Sequence, residues 1–159
     1  MAVINVTTGD QAILTLGNSS TLATPGATNG MVVPFVQDIT INATPGTVRY
    51  STLDSTASSA FTTVNENSIS LNVLVDETTM FGESGNADNT VALNGLLPTS
   101  INKTEVFFSV AFEGSDSSDY YLTGKGFIGG LAPSASIDQA VWISPGTITV
   151  NGDLTKSTV

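Results

Sequence analysis

The chain has 159 residues, with fourteen acids against four bases, a formal net charge of −10, no cysteine and no histidine. Those counts exclude disulfides, thiolate chemistry, Ser-His-Asp catalysis and imidazole acid–base work, and an acidic chain is drawn neither to a phosphate backbone nor to an anionic membrane. Charged residues are only 11%, against about 25% in an average globular protein, and the Thr, Ser, Asn, Gly and Val that replace them favour strands and turns over helix.

The length fits one domain over residues 1–159 and suffices to bury a core. Residues 1–10 hold no basic region followed by an apolar run, so no secretion signal is expected. No apolar stretch approaches the roughly 20 residues of a membrane span. The Asn-x-Ser/Thr triplets at Asn5, Asn18, Asn42 and Asn102 are then chance matches in a chain rich in those residues.

Period-two alternation sets most of the elements. Residues 11–16 form a short strand with Ala12, Leu14 and Leu16 inward. Residues 35–44 set Phe35, Ile39, Ile41 and Ala43 against Val36, Asp38, Thr40, Asn42 and Thr44. Residues 51–67 are polar, with Phe61 and Val64 the only larger apolar side chains after Leu53, and predict a hairpin arm or a long loop. Residues 69–75 place Ile69, Leu71, Val73 and Val75 on one side and Ser70, Asn72, Leu74 and Asp76 on the other.

Residues 80–87, with Gly82 and Gly85, are a loop. One helix follows, capped by Asp88, with Leu93, Leu96 and Leu97 on one face and Pro98 as its stop; Gly95 works against it. Residues 104–113 alternate most clearly. Val106, Phe108, Val110 and Phe112 share one face, and Glu105, Phe107, Ser109, Ala111 and Glu113 the other.

After a polar turn at 115–119, a strand from Tyr120 runs through Gly124, Gly126, Gly129 and Gly130 to a corner at Leu131 and Pro133. A last strand follows, in which Ile148 and Val150 oppose Thr147, Thr149, Asn151 and Asp153. This order predicts a mainly β fold: an antiparallel sandwich or small barrel with one short flanking α-helix and a long loop or hairpin arm.

The last third carries a recognisable layout. An aromatic strand opens at Tyr120-Tyr121 and kinks at Gly124-Lys125-Gly126. A turn with Leu131, Pro133 and Ser134 follows, then a strand beginning near Asp138, and a close at Asn151-Gly152-Asp153-Leu154-Thr155. In pattern and order this resembles the C-terminal half of the tail tube proteins (major tail proteins) of long-tailed bacteriophages. The order of strands and helix agrees in outline over the rest of the chain.

The resemblance implies a structural virion protein and not an enzyme. Homohexameric rings would stack into a tail tube, with one sheet of each subunit joined into an inner barrel that conducts DNA at ejection. It implies a place in the phage tail after assembly in the host cytoplasm. Its partners would be copies of itself, with sheath, baseplate or initiator, and tail terminator proteins. Residues 2–8, 51–67 and 80–87 are candidates for ring-to-ring contact. DNA would pass without adhering, and no cofactor or membrane is involved.

Under that resemblance Asp38, Asp76, Glu105, Glu113 and Asp153 are candidates to line the lumen. All lie on the polar sides of predicted strands, and no Lys or Arg falls on those half-strands. Repulsion acting over a Debye length of about 8 Å would keep a duplex from sticking to such a wall. With fourteen acids against four bases, the same set also arises without any function.

Other chemistry finds less support. The acidic run at 113–119 lacks the spaced acids, central Gly and terminal Glu of a calcium loop, so a solvated turn is expected and no metal. The glycines at 124–130 precede no helix and no Lys-Ser/Thr pair, so they are not a nucleotide loop. They suit a bulge or bend. Trp142 belongs to the core or to a subunit interface. The alternative function is a capsid decoration or adhesion module that binds a capsid or a cell surface.

Overall fold

Four isoleucines lie side by side across four strands and mark the core. The computed structural model describes residues 12–53, 57–112 and 120–158. In it, register joins Ile41 to Ile69, Ile69 to Ile148, and Ile148 to Ile128. Their strands are β3 (Val36–Thr44), β6 (Glu66–Leu74), β10 (Gln139–Val150) and β8 (Tyr120–Gly129).

The remaining strands are β1 (Ile13–Gly17), β2 (Met31–Val32), β4 (Thr47–Tyr50), β5 (Ser59–Thr62), β7 (Glu105–Ala111), β9 (Ser134–Ser136) and β11 (Thr155–Thr158). Among the described residues the main sheet is nine-stranded, in the order β2-β1-β7-β8-β10-β6-β3, with β11 on β8 and β9 on β10. Every pairing is antiparallel.

One face of this sheet closes over the core. Leu14 and Leu16 of β1, Val106, Phe108 and Val110 of β7, and Leu71 and Val73 of β6 are all buried. The mainly β class follows from that alternation, as the sequence predicts.

The helical segment departs from expectation. In place of one helix there are three short ones: α1 (Glu77–Phe81), α2 (Thr90–Asn94) and α3 (Leu96–Ile101). Asp76 caps α1, and Asn89 rather than Asp88 caps α2. Asn89 is fully buried and also donates to the Leu16 and Asn29 carbonyls, which ties α2 to β1. Gly95, at φ +76°, ends α2 and starts α3. A side chain there would meet the backbone of Gly82 and Phe81. Pro98 stands in the first turn of α3, where its missing N–H goes unused, so it belongs to a helix start rather than a stop. Met80, Val91 and Leu96 carry the helices onto the core.

The start of β3 also differs. A register shift between Val36 and Asp38 turns Val36 toward the core opposite Val73 and leaves Phe35 outside the strand. Phe35 is 65% exposed with φ +56°, a left-handed conformation uncommon for a large side chain. Phe112 lies beyond the end of β7 and is exposed, as is Ala43.

The glycines of β8 serve close packing. No register shift interrupts β8 against β7 or β10, so the expected bulge is absent there. A Cβ on Gly124 would come 2.8 Å from the Phe108 ring, and one on Gly126 would strike the Thr149 carbonyl. Gly130, at φ +67°, makes the corner.

Candidate functional site

On β3, β6 and β10 the second face of the sheet lies away from the core, whereas on β1 and β7 it is covered, with Thr15, Ser109 and Ala111 fully buried. The chemistry of the uncovered part differs from the acidic wall that the sequence suggests. Register sets Asn42, Ser68, Thr149, Phe127 and Glu105 in one row across β3, β6, β10, β8 and β7. The next row is Thr40, Ser70, Thr147 and Gly129. Asp38, Asn72 and Pro145 make a third. Most of this outer face is therefore hydroxyl and amide.

Four of the five predicted wall acids, Asp38, Asp76, Glu105 and Asp153, have a definite place. Asp38 is exposed at the far end of the face. Glu105 lies on the face but is engaged: the Asn151 side-chain amide donates to its Oε1 at 2.6 Å, and Lys125 Nζ stands 3.6 Å from its Oε2. Lys125 projects from the neighbouring strand β8, which is why inspection of single strands misses it. The pair is partly exposed, and pairs of that kind contribute about 0–1 kcal/mol.

Asp76 is not on the face. Its carboxylate accepts from the Thr79 N–H at 3.1 Å and from the hydroxyls of Thr78 and Thr79. The Thr78 hydroxyl first, and the Thr79 N–H next, hold its carboxyl below the ordinary aspartate value. Asp153 lies in the turn between β10 and β11, beside Gly152 at φ +99°, not on a strand. There it shares an open cleft with Pro45, Asn65, Asn67 and Leu154. Glu113 falls outside the described residues.

The motif residues of the last third serve the fold. Gly124 and Gly126 admit Phe108 and Thr149, and Leu131 and Leu154 pack against the core. Pro133 follows the Gly130 corner, Asp138 occupies the turn between β9 and β10, and Gly152 makes the last turn. Trp142 is 57% exposed and so is not a core residue.

The 51–67 segment resolves into half of a separate two-stranded arm, β4–β5. All eight strand residues are exposed. Pairing of Val48 with Phe61 puts Val48, Tyr50 and Phe61 on one side of the ribbon, where the Tyr50 and Phe61 rings lie 5.9 Å apart. Arg49 faces the other side. A lone hairpin is marginally stable in water, and this one exposes its apolar side.

At the opposite end of the β3–β6 pair is an open cleft of ≈ 310 Å³. Its apolar part is Met31, Val32, Pro34 and Phe35, and its acidic part is Asp76 and Glu83. The 80–87 segment predicted as a loop thus opens as the end of α1 and then borders this cleft through Glu83 and Asn86.

No family model matches the sequence, and no curated protein does. Solved structures do match in fold. The SPP1 tail tube superposes with a TM-score of 0.66 at 11% identity, covering 97% of this chain and 80% of that one. A chain of the tail of the empty gene transfer agent (GTA) particle, refined with C6 symmetry, gives 0.65 at 13% identity, covering 96% and 100%. A chain of the sheath/tube terminator of an extracellular contractile injection system gives 0.64 at 12% identity, covering 99% and 100%. The chain has the fold shared by these phage and phage-like tail structures, the SPP1 tail tube among them.

Proposed function

We propose that the protein is a structural subunit of a phage tail tube, assembled as homohexameric rings that stack head to tail around a channel for DNA. The observation that carries this is the whole-chain likeness to tail structures, one of them a tail tube and another refined with C6 symmetry. The surfaces fit the reading. β3 is nine residues long, contains no Lys, Arg or Pro, and pairs on one side only among the described residues. Solitary proteins usually blunt such an edge, and a neighbour in a ring satisfies it. Apolar groups also cluster at both ends of the β3–β6 pair, as heterologous stacking requires.

In this reading the outer face of β3, β6 and β10 lines the channel, because the other face is committed to the core. Its hydroxyls and amides offer DNA no fixed cation. Asp38 and the chain's overall negative charge add repulsion, while Glu105 is engaged by Asn151 and Lys125. The subunit acts passively, without catalysis, and meets tail initiator and terminator proteins at the two ends of the tube.

Size-exclusion chromatography with negative-stain electron microscopy tests this. Rings or hollow tubes of one diameter are expected from concentrated protein. A monomer at every concentration that instead binds empty capsids overturns the tube and establishes a decoration module.

A further inference from the structure

We propose that the β4–β5 arm of one copy seats in the Phe35–Glu83 cleft of the next copy along the stack. The aromatic side of the ribbon then lies on Val32 and Phe35, and Arg49 reaches Glu83. This rests on the stacked-tube reading and names the surface that receives the arm.

Position is the first argument. The arm leaves the sheet after Thr44 and returns at Glu66, at one end of β3–β6. The cleft is built from residues just before β3 and just after β6, at the other end. The nine residues of β3 hold the two apart by roughly 30 Å, at about 3.3 Å per residue. A protein that repeats by translation along those strands brings the arm of each copy to the cleft of its neighbour. A contact between two unlike surfaces at opposite ends is the kind that builds an open filament.

Chemistry is the second. Val48, Tyr50 and Phe61 are each about half exposed on one side of the ribbon, where the Tyr50 and Phe61 rings meet. Phe35, 65% exposed at the rim of the cleft, offers a matching ring, and the local backbone holds it there in a left-handed conformation. Such outliers collect at functional surfaces.

Charge is the third. Arg49 is the only charged residue among the described residues of the arm, and it has no ion pair among the described residues. Among the described residues the cleft carries acid and no base. A ribbon entering it can rest its aromatic side on the apolar wall while Arg49, on the other side, faces Glu83.

The chain has no cysteine, so disulfide trapping is clean. Two variants, Val48→Cys and Val32→Cys, are mixed, assembled and oxidised, with wild-type protein imaged alongside. A mixed 48–32 adduct in the assembled fraction is expected. Tubes in which both variants take part without forming that adduct overturn the docking and leave the tube standing. Absence of tubes from the wild type overturns both.

Charge exchange supplies an independent check. Arg49→Glu and Glu83→Arg are each expected to cut tube yield about tenfold, as the loss of a desolvated charge contact does. Together they should restore it. Two losses that merely add, in variants whose circular dichroism is unchanged, contradict the pairing.

Discussion

The Phe108 ring occupies the space that a side chain at Gly124 would need: a Cβ there comes 2.8 Å from Phe108 Cζ. Phe108 is fully buried, and the two residues are direct register partners on β7 and β8. Gly124→Ala should therefore destabilise by about 1–3 kcal/mol through overpacking. The double variant Gly124→Ala/Phe108→Leu should lose less than the sum of the two single changes. Urea denaturation of the four proteins measures this, and strict additivity would contradict the packing argument.

Asp76 is a helix cap, set just past the end of β6. Asp76→Ala should cost about 0.5–2 kcal/mol, and Asp76→Asn much less, because Asn also caps well. The sign with pH follows from the lowered carboxyl value in the folded state. Its stabilisation is complete above the ordinary aspartate value and is lost as pH falls through the lowered one. Denaturant titrations between about pH 5 and pH 2 should show a shallower acid decline for Asp76→Asn than for the wild type. Equal declines would mean that the carboxylate is not held by Thr78 and Thr79.

Lysines placed on the outer face should distinguish wall from scaffold. Thr147→Lys and Asp38→Lys are expected to leave stability within about 0.5 kcal/mol and to permit assembly. Each should slow DNA ejection from assembled particles, more strongly at low salt. Asp76→Lys should instead lower stability through the lost cap. Normal ejection with Thr147→Lys would remove this face from the channel.

The free edge of β3 gives a prediction that needs no mutation. Among the described residues β3 pairs on one side only, so about half of its amides lack a partner strand in one copy. Hydrogen exchange at residues 36–44 should be fast at those amides in monomer and slow in tubes. Equal exchange in both states would place the ring contact elsewhere.

Much of this fold is legible as alternation. Ile69, Leu71 and Val73, or Val106, Phe108 and Val110, announce their strands and their buried side directly. The helical segment is less so, because Gly95 and Pro98 both read as stops when the chain is scanned locally. Only the close approach of Gly95 to Gly82 shows that a break between two helices is needed. Phe35 and Val36 exchange roles through a register shift that depends on the partner strand β6.

The candidate wall was legible only in part. Asp38 and Glu105 lie on the predicted side of their strands. Asp76 and Asp153 lie just past strand ends, where alternation continues on paper after the strand has stopped. The Lys125–Glu105 pair and the Ser and Thr rows depend on which strands become neighbours, and that order is nonlocal.

A cryo-electron microscopy reconstruction of the assembled tube tests the central claim most directly. The account predicts a six-fold ring whose bore is lined by Thr40, Ser70 and Thr147, with the β3 edge paired to the adjacent subunit. A bore lined by the arm or the helices, or an assembly without a bore, would contradict it.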